Sequence, residues 1–134
     1  GRRDERHRHG RRGEEGRLMR VGFSFGGQSF SVTLEGNPTG RDFLTLLPLD
    51  LAIEDYSHNE KIARLPRPLS QRFAGPFRDE RVGDLCYYAP WHNLAFFHAG
   101  YRYSPGLIRI GRMDGDISPL LRRGTYPLHS EILT

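Results

Sequence analysis

The sequence of 134 residues has one cysteine, one tryptophan and no long apolar run. Because Cys86 stands alone, an internal disulfide and a zinc site built from cysteines are excluded, and a reducing, cytoplasmic setting is expected. No apolar run approaches the ~20 residues that a membrane-spanning helix needs. No apolar stretch follows the charged first residues either, so we expect neither a secretory signal nor a membrane partner.

Positive charge is in excess only near the beginning of the sequence. The chain carries 20 Lys and Arg against 16 Asp and Glu, a formal net charge of +4 at pH 7. Residues 1–20 hold eight arginines and four acidic residues, which account for the whole excess, so residues 21–134 are neutral overall. Residues 1–17 also lack any apolar side chain, and a disordered Arg-rich extension is therefore predicted over residues 1–18.

An Arg-rich extension of this kind is a candidate nucleic-acid contact, because arginines that bind phosphates release counterions. Its interspersed acidic residues, and its lack of aromatic side chains that stack on bases, argue against nucleic acid as a partner. The simpler interpretation is an extension that is not part of the functional domain.

Alternating apolar and polar residues predict several short strands separated by turns. Residues 21–35 predict a hairpin around Gly26-Gly27, and Asn37-Pro38 begins a short helix that Pro48 ends. Further strands are predicted at 49–53, 61–65, 85–88, 94–98 and 107–112, with a long loop at 66–80 and a helical turn at 116–121. Residues 123–134 show no clear period and are expected to be a C-terminal tail.

At least seven strands and one convincing helix predict a mainly β domain over residues 19–122. Short motifs in this region resemble the small bacterial cyclophilin-like domain family. They include Asn37-Pro38-Thr39, Asp42-Phe43-Leu44, Glu54-Asp55-Tyr56, Glu60-Lys61-Ile62-Ala63, Tyr87-Tyr88-Ala89-Pro90-Trp91, Asn93-Leu94-Ala95 and Tyr103-Ser104-Pro105-Gly106-Leu107. The resemblance implies a cyclophilin-like, closed or partly open β-barrel with one or two short capping helices, and it implies no assigned activity.

Two details of the resemblance bear on function. Members of the family often have glycine where this chain has His92, and histidine tolerates a positive φ less well. The arginine, glutamine and histidine that cyclophilin prolyl isomerases use do not align with motifs of this sequence, so no catalytic residue is carried over.

Two groups of residues are candidates for a binding cleft. Glu60 and Lys61 form a polar pair near a predicted turn, although neighbouring strand residues point to opposite faces and a surface pair is the simpler interpretation. The second group could either fix turns or wall a cleft that suits a proline-bearing peptide or a small ring compound, and it comprises Tyr88, Pro90, Trp91, Asn93 and Tyr103.

No motif indicates a cofactor or a metal. His92 and His98 lie too far apart along the chain and have no evident third ligand, Gly26-Gly27 belongs to a hairpin, and Cys86 is predicted to be a buried, inert thiol.

Three functions remain open at this point. The first is a module that binds a small molecule or a proline-containing peptide in an aromatic cleft. The second is a peptidyl-prolyl cis-trans isomerase, in which an apolar pocket holds the proline while Arg64 or Arg109 donates to the amide nitrogen and lowers a barrier of ~20 kcal/mol. The third is nucleic-acid binding through the Arg-rich extension.

Overall fold

Residues 18–134, which the computed structural model describes, form eight strands, one α-helix and two short 3-10 turns. The strands are β1 (Arg20–Phe25), β2 (Gln28–Leu34), β3 (Leu49–Tyr56), β4 (Glu60–Arg64), β5 (Asp84–Tyr88), β6 (Asn93–Phe97), β7 (Leu107–Met113) and β8 (Tyr126–Leu133). The helix α1 spans Pro38–Leu44, and the 3-10 turns span Ala89–Trp91 and Ser118–Leu121.

All eight strands pair antiparallel and close into one barrel in the order β1-β2-β7-β5-β6-β4-β3-β8. Closure leaves no strand with an unpaired edge along the ring. The prediction of a mainly β, closed barrel with a short helix is therefore confirmed.

The barrel interior is filled by alternate residues of the strands, as the period of two requires. Phe23 lies at its centre, stacked on Phe30 at 5.3 Å between ring centroids and packed edge-on against Phe96 at 5.2 Å. The β1–β2 hairpin that supplies two of these rings turns at Gly26 and Gly27, whose φ angles of 53° and 77° favour glycine. The hairpin prediction is thus confirmed together with its turn.

Helix α1 packs on the barrel core through Phe43. Its N-cap is Asn37, whose side chain accepts a hydrogen bond from the Gly40 amide at 2.8 Å, and Pro38 occupies the first turn. Phe43 is fully buried and stacks near Phe23 at 6.4 Å. The helix ends at Leu44 rather than at the proline, so it is shorter than the sequence predicts.

The C-terminal segment is a correction to the prediction of a tail at 123–134. Strand β8 lies between β1 and β3, and it is the strand that closes the barrel. Its apolar alternation is hidden because Pro127 interrupts the strand pattern and Ser130 occupies a fully buried position. The Ser130 hydroxyl donates to the Leu49 carbonyl oxygen at 2.9 Å, which satisfies a polar group that would otherwise be costly to bury.

The barrel wall formed by β4, β5, β6 and β7 is apolar on its outer face as well. A second buried cluster lies there, separate from the interior core, and consists of Cys86, Ala95, Phe97 and Leu107. Half-buried aromatic residues from the loops cover it, namely Phe77, Tyr88, Tyr101 and Tyr103. These covering loops create the concave surface described next.

Candidate functional site

A cleft of about 240 Å³ opens on the outer face of the barrel beside the second cluster. Its floor is made of outward-facing side chains of three strands, Ile62, Ala95, Phe97 and Leu107. Its aromatic side chains are Tyr56, Tyr88 and Trp91, and its polar ones are Asn59, Glu60, Asn93, Arg102 and Ser104. We call this cavity the Trp91 cleft.

Trp91 is the centre of a row of three aromatic rings. It packs edge-on against Tyr56 at 5.4 Å and against Tyr88 at 5.5 Å, with an interplanar angle of 84° in both pairs. The indole is 44% exposed, so much of its apolar surface faces solvent. An exposed tryptophan held between two rings is typical of a surface that receives an apolar ligand.

Two residues with positive φ angles shape the backbone around Trp91. His92, which ends the 3-10 turn, adopts a left-handed conformation with φ 56° and ψ 40°. This conformation costs less without a Cβ atom, so it fits the glycine that the resemblance implies at this position. Gly106 has φ 93°, and a Cβ there would lie 2.7 Å from Cδ of Pro90, so glycine allows the two loops to approach.

Asn93 lies on the cleft side of β6 and is 1% exposed. Its Nδ2 donates to the Leu94 carbonyl oxygen at 2.9 Å. Its Oδ1 has no hydrogen-bond partner within the protein, and it is the only buried side-chain polar atom of residues 18–134 in that condition. Burying an unsatisfied acceptor costs about 1–3 kcal/mol, a cost that a donor reaching this atom would offset.

Glu60 lies at the other end of the cleft, paired across the strands with Tyr56 on one side and Phe97 on the other. Burial raises the pKa of its carboxyl group to about 7. In the β4–β6 register Asn93 lies opposite Arg64, four residues from Glu60, which corresponds to about 13 Å at the rise of an extended strand. The two acceptors therefore mark opposite ends of an apolar floor.

The model of the cyclophilin-like family matches residues 23–130, most of the chain. The chain belongs to the cyclophilin-like family. The structure is also similar to the solution structure of a hypothetical protein from Archaeoglobus fulgidus, with a TM-score of 0.59 and 16% sequence identity over 85% of this chain and 94% of that one. At this identity the likeness shows the fold alone. No curated protein matches the chain.

The cyclophilin-like barrel brings four of the sequence-predicted residues into the cleft: Glu60, Tyr88, Trp91 and Asn93. Pro90 and Tyr103 lie beside it and do not line it. Pro90 packs against the Gly106 backbone, while Tyr103 packs against Phe77 at 5.2 Å.

Lys61 is the clearest departure from the predicted cleft. It points into the barrel, is fully buried, and donates to Oδ1 of Asp55 at 2.7 Å with its ammonium 5.4 Å from the centre of the Phe25 ring. Burial would raise the pKa of Asp55, but hydrogen bonds from Lys61 and from the Gly124 amide outweigh that effect and lower it. The interpretation of Lys61 as a surface residue is therefore wrong, and it is not available to a cleft ligand.

Eight of the twelve lining residues are missing from the sequence prediction, among them Tyr56 and Arg102. Tyr56 could have been found, because a hairpin turn at 57–59 places it directly opposite Glu60. Arg102 lies in the irregular segment between β6 and β7, where no periodicity indicates its direction.

An ionic network around the buried Asp84 holds the covering loops in place. The fully buried Asp84 carboxylate accepts from the Tyr101 hydroxyl at 2.6 Å and from Nε of Arg112 at 2.7 Å. Asp79 bridges Arg112 and Arg109, and the hydrogen bond from Arg109 lowers the pKa of Asp79 to about 2. Since Tyr101 stacks on the floor residue Phe97 at 3.8 Å, this network positions one side of the cleft.

The remaining expectations from the sequence concern Cys86, metal binding, a membrane span and the Arg-rich extension. Cys86 is buried, and burial raises the pKa of its thiol, which keeps it protonated. Among residues 18–134 no group of three or more His, Cys, Asp or Glu side chains is arranged to hold a metal ion. No helix of that region is long and apolar enough to cross a membrane. The Arg-rich segment at 1–17 lies outside the described residues.

Proposed function

We propose that this cyclophilin-like protein is a binding module that takes a small ring-bearing molecule, or a proline-bearing peptide segment, in the Trp91 cleft. The observation that carries the proposal is the unpaired Oδ1 of Asn93, buried at the edge of an apolar floor. An amide oxygen kept without a partner is a cost that a ligand N–H or O–H would offset on binding.

The shape of the cleft supports the same proposal. A volume of about 240 Å³ suits a small ring compound or two to three small residues, and is slightly below the ~300 Å³ at which drug-sized pockets begin. The exposed indole edge and the two tyrosine rings offer flat apolar surface with polar tips. The polar side chains around the apolar floor are placed to fix a ligand's orientation.

Trp91 is the single tryptophan of the chain and lines the cleft, so its fluorescence reports directly on occupancy. We expect some members of a library of small ring compounds and short proline peptides to change its emission saturably. The variant A95L fills the floor and should abolish those changes. Its folding is checked by thermal unfolding, and chemical-shift mapping of the wild-type chain gives a second test. Emission changes that persist in A95L, or shifts spread away from the cleft, would contradict the proposal.

One observation favours prolyl isomerase activity as a second candidate function. Arg109, an expected donor, is held in ion pairs with Glu35 and Asp79, and Arg64 is exposed outside the cleft lining, whereas Arg102 lines the cleft. A guanidinium there could donate to the amide nitrogen of an X–Pro bond while the apolar floor holds the ring. A protease-coupled assay with prolyl peptides tests this candidate. Rates equal to the uncatalysed background would exclude it, and a true activity should be lost in R102A.

A further inference from the structure

The Trp91 cleft has hydrogen-bond acceptors at its two ends and an apolar floor between them, and this arrangement restricts the chemical class of the ligand. Resting on the proposed binding function, we infer that the cleft takes an organic cation: an ammonium or amidinium group at Glu60, a flat apolar body on the aromatic row, and an N–H donor at Asn93. Both ends of the cleft offer acceptors, a carboxylate at one and an amide oxygen at the other. A ligand that satisfies Asn93 and the ionised form of Glu60 is therefore a donor at both ends.

The electrostatics at the Glu60 end favour positive charge. The raised pKa of Glu60 has burial as its cause, so the ionised carboxylate lacks a compensating cation. The nearby cation Lys61 lies on the opposite face of β4 and is paired with Asp55. A bound ammonium or amidinium would restore the ionised form of Glu60 through a charge-assisted hydrogen bond.

The aromatic row adds to the attraction for a cation. The faces of tryptophan and tyrosine rings attract positive charge, by about 0.5–2 kcal/mol depending on how far the cation is desolvated. Tyr56 both pairs with Glu60 across the strands and contacts Trp91, so the row starts at the acidic end. The other titratable lining groups are the phenol of Tyr88 and the guanidinium of Arg102, and the charge of Arg102 also acts on Glu80, whose pKa it helps to lower.

The spacing of the two acceptors sets the length of the ligand. Four extended residues put the backbone positions of Glu60 and Asn93 about 13 Å apart along the strands, and a ligand that reaches both acceptors must bridge a span of that order. Two hydrogen bonds of about 2.9 Å leave about 7 Å between the two ligand nitrogens, which is close to the span across a para-substituted benzene ring.

4-Aminobenzamidine has this chemistry, with an amidinium at one end and an aniline N–H at the other. We would measure its affinity by calorimetry, next to the neutral 4-aminobenzamide and to benzamidine, which lacks the far donor. The wild-type chain should bind 4-aminobenzamidine at least about tenfold more tightly than 4-aminobenzamide, in line with the strength of charge-assisted hydrogen bonds. It should bind benzamidine several-fold more weakly than 4-aminobenzamidine.

Two variants assign these differences to residues. E60Q should remove the preference for the amidine over the amide while still binding the amide, which also shows that the variant folds. N93L should bind benzamidine and 4-aminobenzamidine equally. The matched control is E131Q, which removes a carboxylate from the outer face of β8, away from the cleft, and should change no affinity by more than twofold.

The outcomes separate the inference from the function on which it rests. If the amide and the amidine bind equally well, or if E60Q keeps the preference, the cation inference is wrong and the binding function stands. If neither compound binds while neutral ring compounds still change Trp91 emission, the cation inference is again wrong. If no ring compound or peptide changes that emission, both the inference and the binding function are wrong.

Discussion

Replacing Glu60 with glutamine tests whether a carboxyl group is buried at the end of the Trp91 cleft. Burial raises the pKa of Glu60 from 4.5 to about 7. Because the pKa is higher in the folded than in the unfolded chain, the protonated form favours folding. This contribution is complete below the unfolded pKa of 4.5 and is lost as the pH rises through about 7.

The size of the effect follows from the pKa difference. At about 1.4 kcal/mol for each pKa unit, ionisation of Glu60 destabilises the fold by about 3 kcal/mol. The carboxyl group is only half-buried, so solvent screening reduces this to about 2 kcal/mol. Glutamine has the same shape and does not ionise, so the E60Q chain should lack this loss.

Urea unfolding of both chains between pH 5 and pH 8.5 measures the effect. Two histidines titrate in the same range: burial lowers the pKa of His98, and a hydrogen bond to Asp50 raises the pKa of His129. Both are present in each chain and cancel in the difference. We expect E60Q to gain about 2 kcal/mol over the wild type as the pH rises across this range. A difference that stays constant with pH would refute the burial of Glu60.

Three further predictions address other parts of the molecule. H92G should raise the free energy of unfolding by about 0.5–1 kcal/mol, because relief of the left-handed strain exceeds the added entropy of the unfolded chain; a less stable H92G in urea unfolding would contradict this. D84N leaves the donors of Tyr101 and Arg112 facing an uncharged amide and should cost about 3 kcal/mol or more; a loss below about 1 kcal/mol would show that the network contributes little to stability. A chain that begins at Met19 should bind nucleic acid as weakly as the full chain in filter binding, and a clear drop on truncation would assign binding to the Arg-rich extension.

The sequence pattern predicts side-chain orientation well in strands with one buried and one exposed face. It predicts orientation less well in strands whose two faces are both buried. The hairpin at β1 and β2 alternates cleanly because one face fills the barrel interior and the other faces solvent. In β4, however, Lys61, Ile62 and Ala63 are all buried, since the interior core lies on one side and the loop-covered cluster on the other. Periodicity alone therefore cannot tell which face Lys61 occupies.

Strand β8 shows a different limit. It pairs with β1 and β3, which lie more than 70 residues earlier in the chain, so no local sequence pattern indicates this pairing. Pro127 is a residue that usually interrupts a strand. Ser130 is typical of turns, but here it lies inside the barrel, where its hydroxyl donates to the Leu49 carbonyl oxygen. Tertiary pairing overrides local preference here.

Some residues of the candidate site could be predicted from the sequence and others could not. The resemblance and the aromatic motif directed attention to Trp91 and Asn93, which do line the cleft. Arg102 could not be predicted, because its place depends on how the loop after β6 folds over the barrel wall, held by Tyr101 and Asp84. Contacts of this kind join a loop to a separate strand, so hydrophobic periodicity along the sequence does not indicate them.

The most direct test of the binding function is a crystal structure of the protein soaked with a library of small ring fragments. We predict that fragments occupy the Trp91 cleft, with a donor nitrogen or oxygen within hydrogen-bonding distance of Oδ1 of Asn93 and a ring against Trp91. A cleft that stays empty of fragments, with Oδ1 of Asn93 satisfied by an ordered water that itself makes its full set of hydrogen bonds to the protein, would contradict the account.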